Sequence, residues 1–434
     1  MSAAATSNVV LRQQRRLFLS ALSVFCILAG GTLYRLKWNA EFTVAVFLIA
    51  IFSLPCALFR RPDQSAGQLE PINPLRQRIP LPLWSFAACV ILSEIRMQTV
   101  EGAQNTLVYL SFVAVMAIAA SWTSAGSPLL LLTWVRSAAV VMAVCYIFTV
   151  IVTGPGSDSF YLNSDRGYGE IAWVGVVAAV SLAKPSRFGY ILPLLLLAAC
   201  VLSLSRTVMA VCALLFLSVV TQRRERGERR KLLLLTAAMA GGAYFLLTRY
   251  QPLEDRFTHN DGQQVAGWEV GTSGRATMWR VTWESIKKSP WTGHGIGSAE
   301  HLMSRLAMDH PHNDYLRLWH DFGIIGLGLW VASILVLGRG AYRRWRAASN
   351  DADRAIHKAA LLALVGLSLN VITSNLLVYI SVMVPVAVII GTSMGRANAE
   401  GVRLAPSSAR GCGAPNDEVR KDLTEACVGA AMSE

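Results

Sequence analysis

Residues 309–346 read DHPHNDYLRLWHDFGIIGLGLWVASILVLGRGAYRRWR. The stretch opens on histidines and carboxylates, turns apolar over 316–338 and ends in arginines. An apolar run of about 20 residues matches the hydrocarbon thickness of a bilayer. Arginines gathered at one flank mark the cytoplasmic side, so the histidine end faces away from the cytoplasm.

The same alternation repeats in both directions along the chain. Apolar runs occupy 17–34, 40–59, 81–98, 105–122, 129–152, 171–183, 188–203, 206–221 and 232–248 before this stretch, and 359–377 and 379–395 after it. The borders within 171–221 can be drawn in more than one way. About twelve spans put both termini in the cytoplasm, and the arginine-rich segments 222–231 and 339–358 fall there too. The expected fold class is an all-α polytopic membrane protein of about twelve transmembrane helices, with both termini cytoplasmic and one long helical periplasmic loop. The basic start followed by an apolar run resembles a signal peptide, but it lacks a convincing cleavage site and reads as a retained first helix.

Composition agrees. Of 434 residues 53% are hydrophobic and 15% are charged, against about 25% charged in soluble proteins. A large soluble helical protein is thereby disfavoured. The net charge of +13 would suit nucleic acid if it were spread over one face. Instead it gathers in short loops, at Arg12, Arg15 and Arg16, at Arg60, Arg61, Arg76 and Arg78, over 223–231 and over 339–358. The charge is a topology signal with attraction to membrane lipids as a by-product, and no nucleic-acid partner is expected. Cys26, Cys56, Cys89, Cys145, Cys200 and Cys212 lie in apolar runs, and Cys412 and Cys427 near the C-terminus. None falls in an outside loop, so no disulfide framework is expected.

Four regions follow: spans one to nine over 1–248, a large periplasmic loop over 249–315, spans ten to twelve over 316–395, and a flexible cytoplasmic tail over 396–434. A second polar outside stretch, 153–170, contains Asn163, Asp165, Arg166 and Glu170. A loop of about 65 residues is uncommon without a function. Thr272 or Ser273 can cap a helix running to about Lys288, with Arg275, Trp279 and Trp283 on one face suited to the membrane interface. The segment SPWTGHGIGS (289–298) breaks that helix, and a second helix is expected over 299–308. The absence of a visible internal repeat disfavours an inverted-repeat transporter. A flippase for lipid-linked sugars would share the spans but has no need of the long loop.

The sharpest feature is histidine placement: His259, His294, His301, His310, His312 and His320 account for six of seven histidines in the chain. Histidine moves protons near neutral pH and also binds metals. For His310 and His312 the metal reading fails to match any zinc spacing, and Pro311 restricts convergence of the rings. His312 stays open to two readings, a proton acceptor or a group that merely hydrogen-bonds at a helix start. Arg206 interrupts two apolar runs at the outer end of a hairpin. It is either a snorkelling loop residue or a cation facing a polar cavity. Arg275 and Arg280 can point to the same place, since guanidinium forks suit phosphate oxygens. Arg136 reads as structural, and Arg166 is a weaker phosphate candidate.

Together these segments resemble the O-antigen ligase and O-antigen or exopolysaccharide polymerase family of bacterial membrane glycosyltransferases. The resemblance rests on Ser205-Arg206, Gly274-Arg275 with Trp279, Gly293-His294-Gly295-Ile296-Gly297, His312-Asn313-Asp314-Tyr315-Leu316 and Asp321-Phe322-Gly323-Ile324-Ile325-Gly326-Leu327, in that order. It covers about 203–330. The resemblance implies a metal-independent, GT-C-like inverting enzyme of the bacterial inner membrane with its site facing the periplasm and no cofactor. It implies a donor glycan on undecaprenyl diphosphate and an acceptor glycan, either lipid A-core for a ligase or a lipid-linked repeat unit for a polymerase. By position it gives His312 the base role, Arg206 and Arg275 the diphosphate, with Arg280 a weaker addition. Asn313 and Asp314 would support His312. The region around Asn163 departs from the pattern of many members, which bears on the acceptor more than on the reaction.

Overall fold

The structure is a computed structural model that describes residues 14–15, 17–29, 39–58, 79–122, 128–153, 165–183, 191–203, 205–222, 237, 263–265, 268–270, 275–305 and 310–409. The expected span 232–248 (residue 237 apart), the stretch around Asn163, and His259 lie outside the described residues.

Among those residues the chain is helical apart from one short hairpin. Helices α1 (Leu17–Ala29) and α2 (Asn39–Leu58) are followed by α3 (Leu81–Arg96), α4 (Val100–Trp122) and α5 (Pro128–Thr153). Then come α6 (Asp165–Leu182), α7 (Ile191–Leu202) and α8 (Arg206–Gln222). Strands β1 (Gln263–Val265) and β2 (Trp268–Val270) pair antiparallel, Gln264 opposite Glu269. The loop then forms α9 (Arg275–Ile286) and α10 (Ser298–Ser304), and the chain continues into α11 (Asp314–Ala347), α12 (Asp351–Asn370) and α13 (Ile380–Ala409). A 3₁₀ turn, Leu376–Val378, joins the last two. By length and composition α4, α5 and α11 can each cross a membrane, and the apolar stretches of the other helices are shorter. The loop expected to be helical thus also contains a hairpin.

Several borders differ from the sequence expectation. Helix α6 begins at Asp165, inside the stretch expected as a polar loop, because Tyr168 stacks flat on Tyr146 of α5 at 4.3 Å and buries that turn. Helix α12 begins at Asp351, where Asn350 accepts the Asp353 N–H as an N-cap. It stops at Asn370, so residues 371–377 of the expected span form a turn and the start of the 3₁₀ segment rather than α-helix. Helix α11 runs on to Ala347, through the basic segment.

The first unit, residues 1–396, packs α2 on α4 and α3 on α4 and α11, while α5, α6, α7, α8 and α12 surround one another. Helices α11 and α12 connect the two groups. Small residues permit the closest crossings. A Cβ on Gly391 would lie 2.4 Å from Met116 O, and one on Gly395 2.4 Å from Ala120 O. These two glycines, one helical turn apart, meet Ala119 and Ala120. Such small-residue packing lets membrane helices touch backbone to backbone. The second unit, 397–434, is described only over the helical residues 397–409.

Candidate active site

The loop 289–298 fixes where the site is built. Gly293, Gly295 and Gly297 all have positive φ (68°, 108° and 79°), as does Gly323 (69°), where α11 breaks. A side chain would strain these conformations, and there is no room for one. A Cβ on Gly323 would sit 2.1 Å from Trp291 O, and one on Gly293 2.4 Å from Asp321 O. Backbone bonds stitch the two segments: His294 N–H donates to His320 O, Gly295 N–H to Asp321 O and Ile324 N–H to Pro290 O, each at 2.9 Å. The same loop reaches α3, where Ile296 N–H donates to Ser93 Oγ (2.8 Å) and Arg96 Nη1 to Gly293 O (3.2 Å).

Behind the loop lie residues whose long-range partners the sequence does not reveal. The Asp321 carboxylate accepts from Gly297 N–H (3.2 Å), Ala299 N–H (3.0 Å) and Ser298 Oγ (3.0 Å), anchoring the start of α10. His320 stacks on His294 (4.6 Å) and sits between Ser285 and Ser298 at 3.0 and 3.1 Å. These two histidines are part of the scaffold. Arg317, 1% exposed, pairs with Asp314 at 2.7 Å and Glu300 at 3.4 Å and donates to Tyr109 Oη at 3.0 Å. Glu300 also accepts from Asn105 (3.1 Å) and has His310 Nδ1 3.8 Å away. Burial pushes the Glu300 carboxyl above its ordinary value, and the Arg317 guanidinium opposes the rise.

His312 stands where these elements meet. It adopts φ +50°, between Pro311 and the Asn313 cap of α11. Asn375 Nδ2 lies 3.2 Å from its Nδ1. The turn carrying Asn375 is tied to α11, because Asp314 N–H donates to Val371 O and Leu377 N–H to Asp314 Oδ2, both at 2.9 Å. The same turn meets α8, where Thr373 hydrogen-bonds Thr207, the neighbour of Arg206. The third connection is α9: Trp279 Nε1 donates to Pro311 O (2.9 Å) and Trp283 stacks edge-on against Trp319 (5.2 Å). The tryptophan face expected at the membrane interface therefore docks on the start of α11, although Trp283 keeps 41% of its surface exposed.

His312 and the segments bearing Arg206 and Arg275 come to one end of the bundle. Arg275 opens α9 one turn before Trp279, about 6 Å along the axis. Arg280 is exposed. Arg166 lies in the first turn of α6, which adjoins the turn before Arg206: a Cβ on Gly169 would lie 3.2 Å from Ser203 Oγ and Ser205 Cβ. Asn313 caps α11 by accepting Leu316 N–H (3.1 Å), and Asp314 engages Arg317 and Leu377. These contacts hold the backbone on either side of residue 313, and Asn375 contacts the His312 ring. The described residues contain no cluster of three or more histidine, cysteine or acidic residues placed to hold a metal.

Residues 191–331 match the family model described as O-antigen ligase. This bears out the family resemblance over the segment from α7 into α11, which includes Arg206, Arg275, Arg280 and His312. No curated protein matches the sequence. The membrane-length helices agree with a multi-pass membrane protein, and residues 191–331 are similar to O-antigen ligases.

Proposed function

We propose that this chain, whose residues 191–331 match O-antigen ligases, transfers a glycan from undecaprenyl diphosphate to an acceptor glycan at the outer leaflet of a bacterial inner membrane. The fold reading that accompanies this is about twelve spans with both termini cytoplasmic and the site on the periplasmic side. The observation that carries the proposal is the turn 371–375. It contacts the His312 ring through Asn375 and the neighbour of Arg206 through Thr373. A group able to accept a proton and the immediate neighbour of a group able to hold an anion therefore adjoin one turn.

The reaction asks for those two groups. The acceptor hydroxyl oxygen attacks the anomeric carbon while the bond from that carbon to the diphosphate breaks, so configuration inverts. His312 takes the hydroxyl proton. Negative charge builds on the departing diphosphate, where Arg206 and Arg275 are suited to meet it, with Arg280 and Arg166 at the margin. Asn313 and Asp314 set the backbone that presents His312. No metal and no cofactor enters this scheme.

A ligase would use lipid A-core as acceptor and a polymerase another lipid-linked repeat unit. The ligase is the first reading. Purified protein, given a synthetic undecaprenyl-diphosphate glycan and the core acceptor, should release undecaprenyl diphosphate and form a product of inverted anomeric configuration. A product of retained configuration, or acceptor glycosylation without release of the lipid diphosphate, would overturn the mechanism. Transfer only to a second lipid-linked unit would make the chain a polymerase.

A further inference from the structure

A histidine can act as base at one ring nitrogen only if the proton sits on the other, and the bond made by the second nitrogen decides this. His312 Nδ1 faces the side-chain amide of Asn375 at 3.2 Å. Asn375 is 2% exposed, and its Oδ1 is buried with no hydrogen-bond partner among the described residues. The two ends of an amide have nearly the same shape, so the two orientations differ in chemistry and hardly in space. With Nδ2 toward the ring, the amide donates to the Nδ1 lone pair. The ring proton is then held at Nε2, and no lone pair is left to accept another. With Oδ1 toward the ring, the oxygen that otherwise lacks a partner accepts Nδ1–H, and the Nε2 lone pair is left to take a proton.

We infer that Asn375 is a positioning residue for His312: its amide oxygen accepts the Nδ1 proton and makes Nε2 the base. This rests on the transfer reaction proposed above. The placement of Asn375 explains why the position can hold that role. It caps nothing with its side chain at the 3₁₀ turn it precedes. Its backbone is fixed by a turn that Asp314 grips at both Val371 and Leu377. Since His312 follows Pro311 and precedes the α11 cap, ring and amide are each held from their own element and meet side chain to side chain.

Three variants test it: Asn375→Leu, Asn375→Asp and His312→Ala, each first checked for an unchanged thermal unfolding midpoint. At metal sites, loss of the group that orients a histidine costs about 10- to 100-fold in activity, and a loss of the same order is expected for a histidine base. Asn375→Leu should therefore lower kcat by about that factor while KM for the donor changes little. Asn375→Asp keeps an acceptor and cannot donate, so it should retain most of kcat. Its negative charge favours the protonated ring, and the acidic limb of the pH–rate profile should move to higher pH. Adding Asn375→Leu to His312→Ala should cost nothing more. If Asn375→Leu misfolds, the pH profile of Asn375→Asp carries the test. Full activity in Asn375→Leu, or an Asn375→Asp enzyme that is folded but as impaired as Asn375→Leu, overturns the inference while the transfer reaction stands. Undiminished transfer by His312→Ala overturns the transfer mechanism itself.

Discussion

At the scale of single residues, the site is built from groups whose partners are fixed by burial. Arg317 does not stand out in the sequence, because it sits among leucines at the head of an apolar run. It is nevertheless legible as the i, i+3 partner of Asp314, since such pairs lie on one helix face. Its link to Glu300 and Tyr109 is not legible, because it joins three elements distant in sequence. Removing one member of a buried ion pair leaves an uncompensated charge and costs about 3–5 kcal/mol. Arg317→Met should lower the unfolding midpoint sharply, and adding Glu300→Gln should recover part of the loss. An unchanged midpoint for Arg317→Met would show that the cluster contributes little. For Arg206 the expectation follows from shape rather than burial. Lysine keeps its charge but loses the planar fork that grips two phosphate oxygens. Arg206→Lys should therefore weaken binding of a lipid diphosphate by about tenfold or more while leaving stability alone. Equal binding by the two proteins would make Arg206 structural.

At the scale of elements, the glycine-rich loop and the break in α11 act as one joint. SPWTGHGIGS reads in the sequence as a helix breaker, and α9 does end before it while α10 begins at its last residue. That Gly323 closes against Trp291 is a different matter, because nothing local to either residue reveals the pairing. The closure depends on backbone approach, and a glycine announces its freedom without naming its neighbour. Gly323→Ala has to leave a positive φ and move a Cβ away from Trp291 O. It should destabilise the protein by more than the roughly 0.4–1 kcal/mol that a glycine-to-alanine change gains where the backbone accepts alanine. Thermal unfolding of Gly323→Ala beside Gly328→Ala, where a Cβ meets nothing within 4 Å, separates the two effects. Equal midpoints would contradict the joint.

At the scale of the whole molecule, apolar periodicity and basic loops make most helices legible from α1 to α8 and again from α11 onward. The exceptions are places where side-chain packing overrides local polarity. The first turn of α6 reads as loop and is helix under the Tyr146–Tyr168 stack. Residues 371–377 read as span and form the turn that holds Asn375. For that reason His312 can be picked out by its motif, while the partner of its ring cannot. Packing between α4 and α13 rests on Gly391 and Gly395. Gly391→Leu should therefore overpack that crossing, at a cost of about 1–3 kcal/mol, read as a lower unfolding midpoint in detergent; an unchanged midpoint would place the crossing elsewhere. On the proposed mechanism, the bundle exists to bring a base to a lipid diphosphate. Turnover by purified His312→Ala with a synthetic donor, measured alongside donor affinity, tests this without intermediaries. General-base catalysis contributes about 10²- to 10⁴-fold, so turnover should fall by that much while donor affinity holds. Turnover equal to that of the unaltered protein would contradict the mechanism.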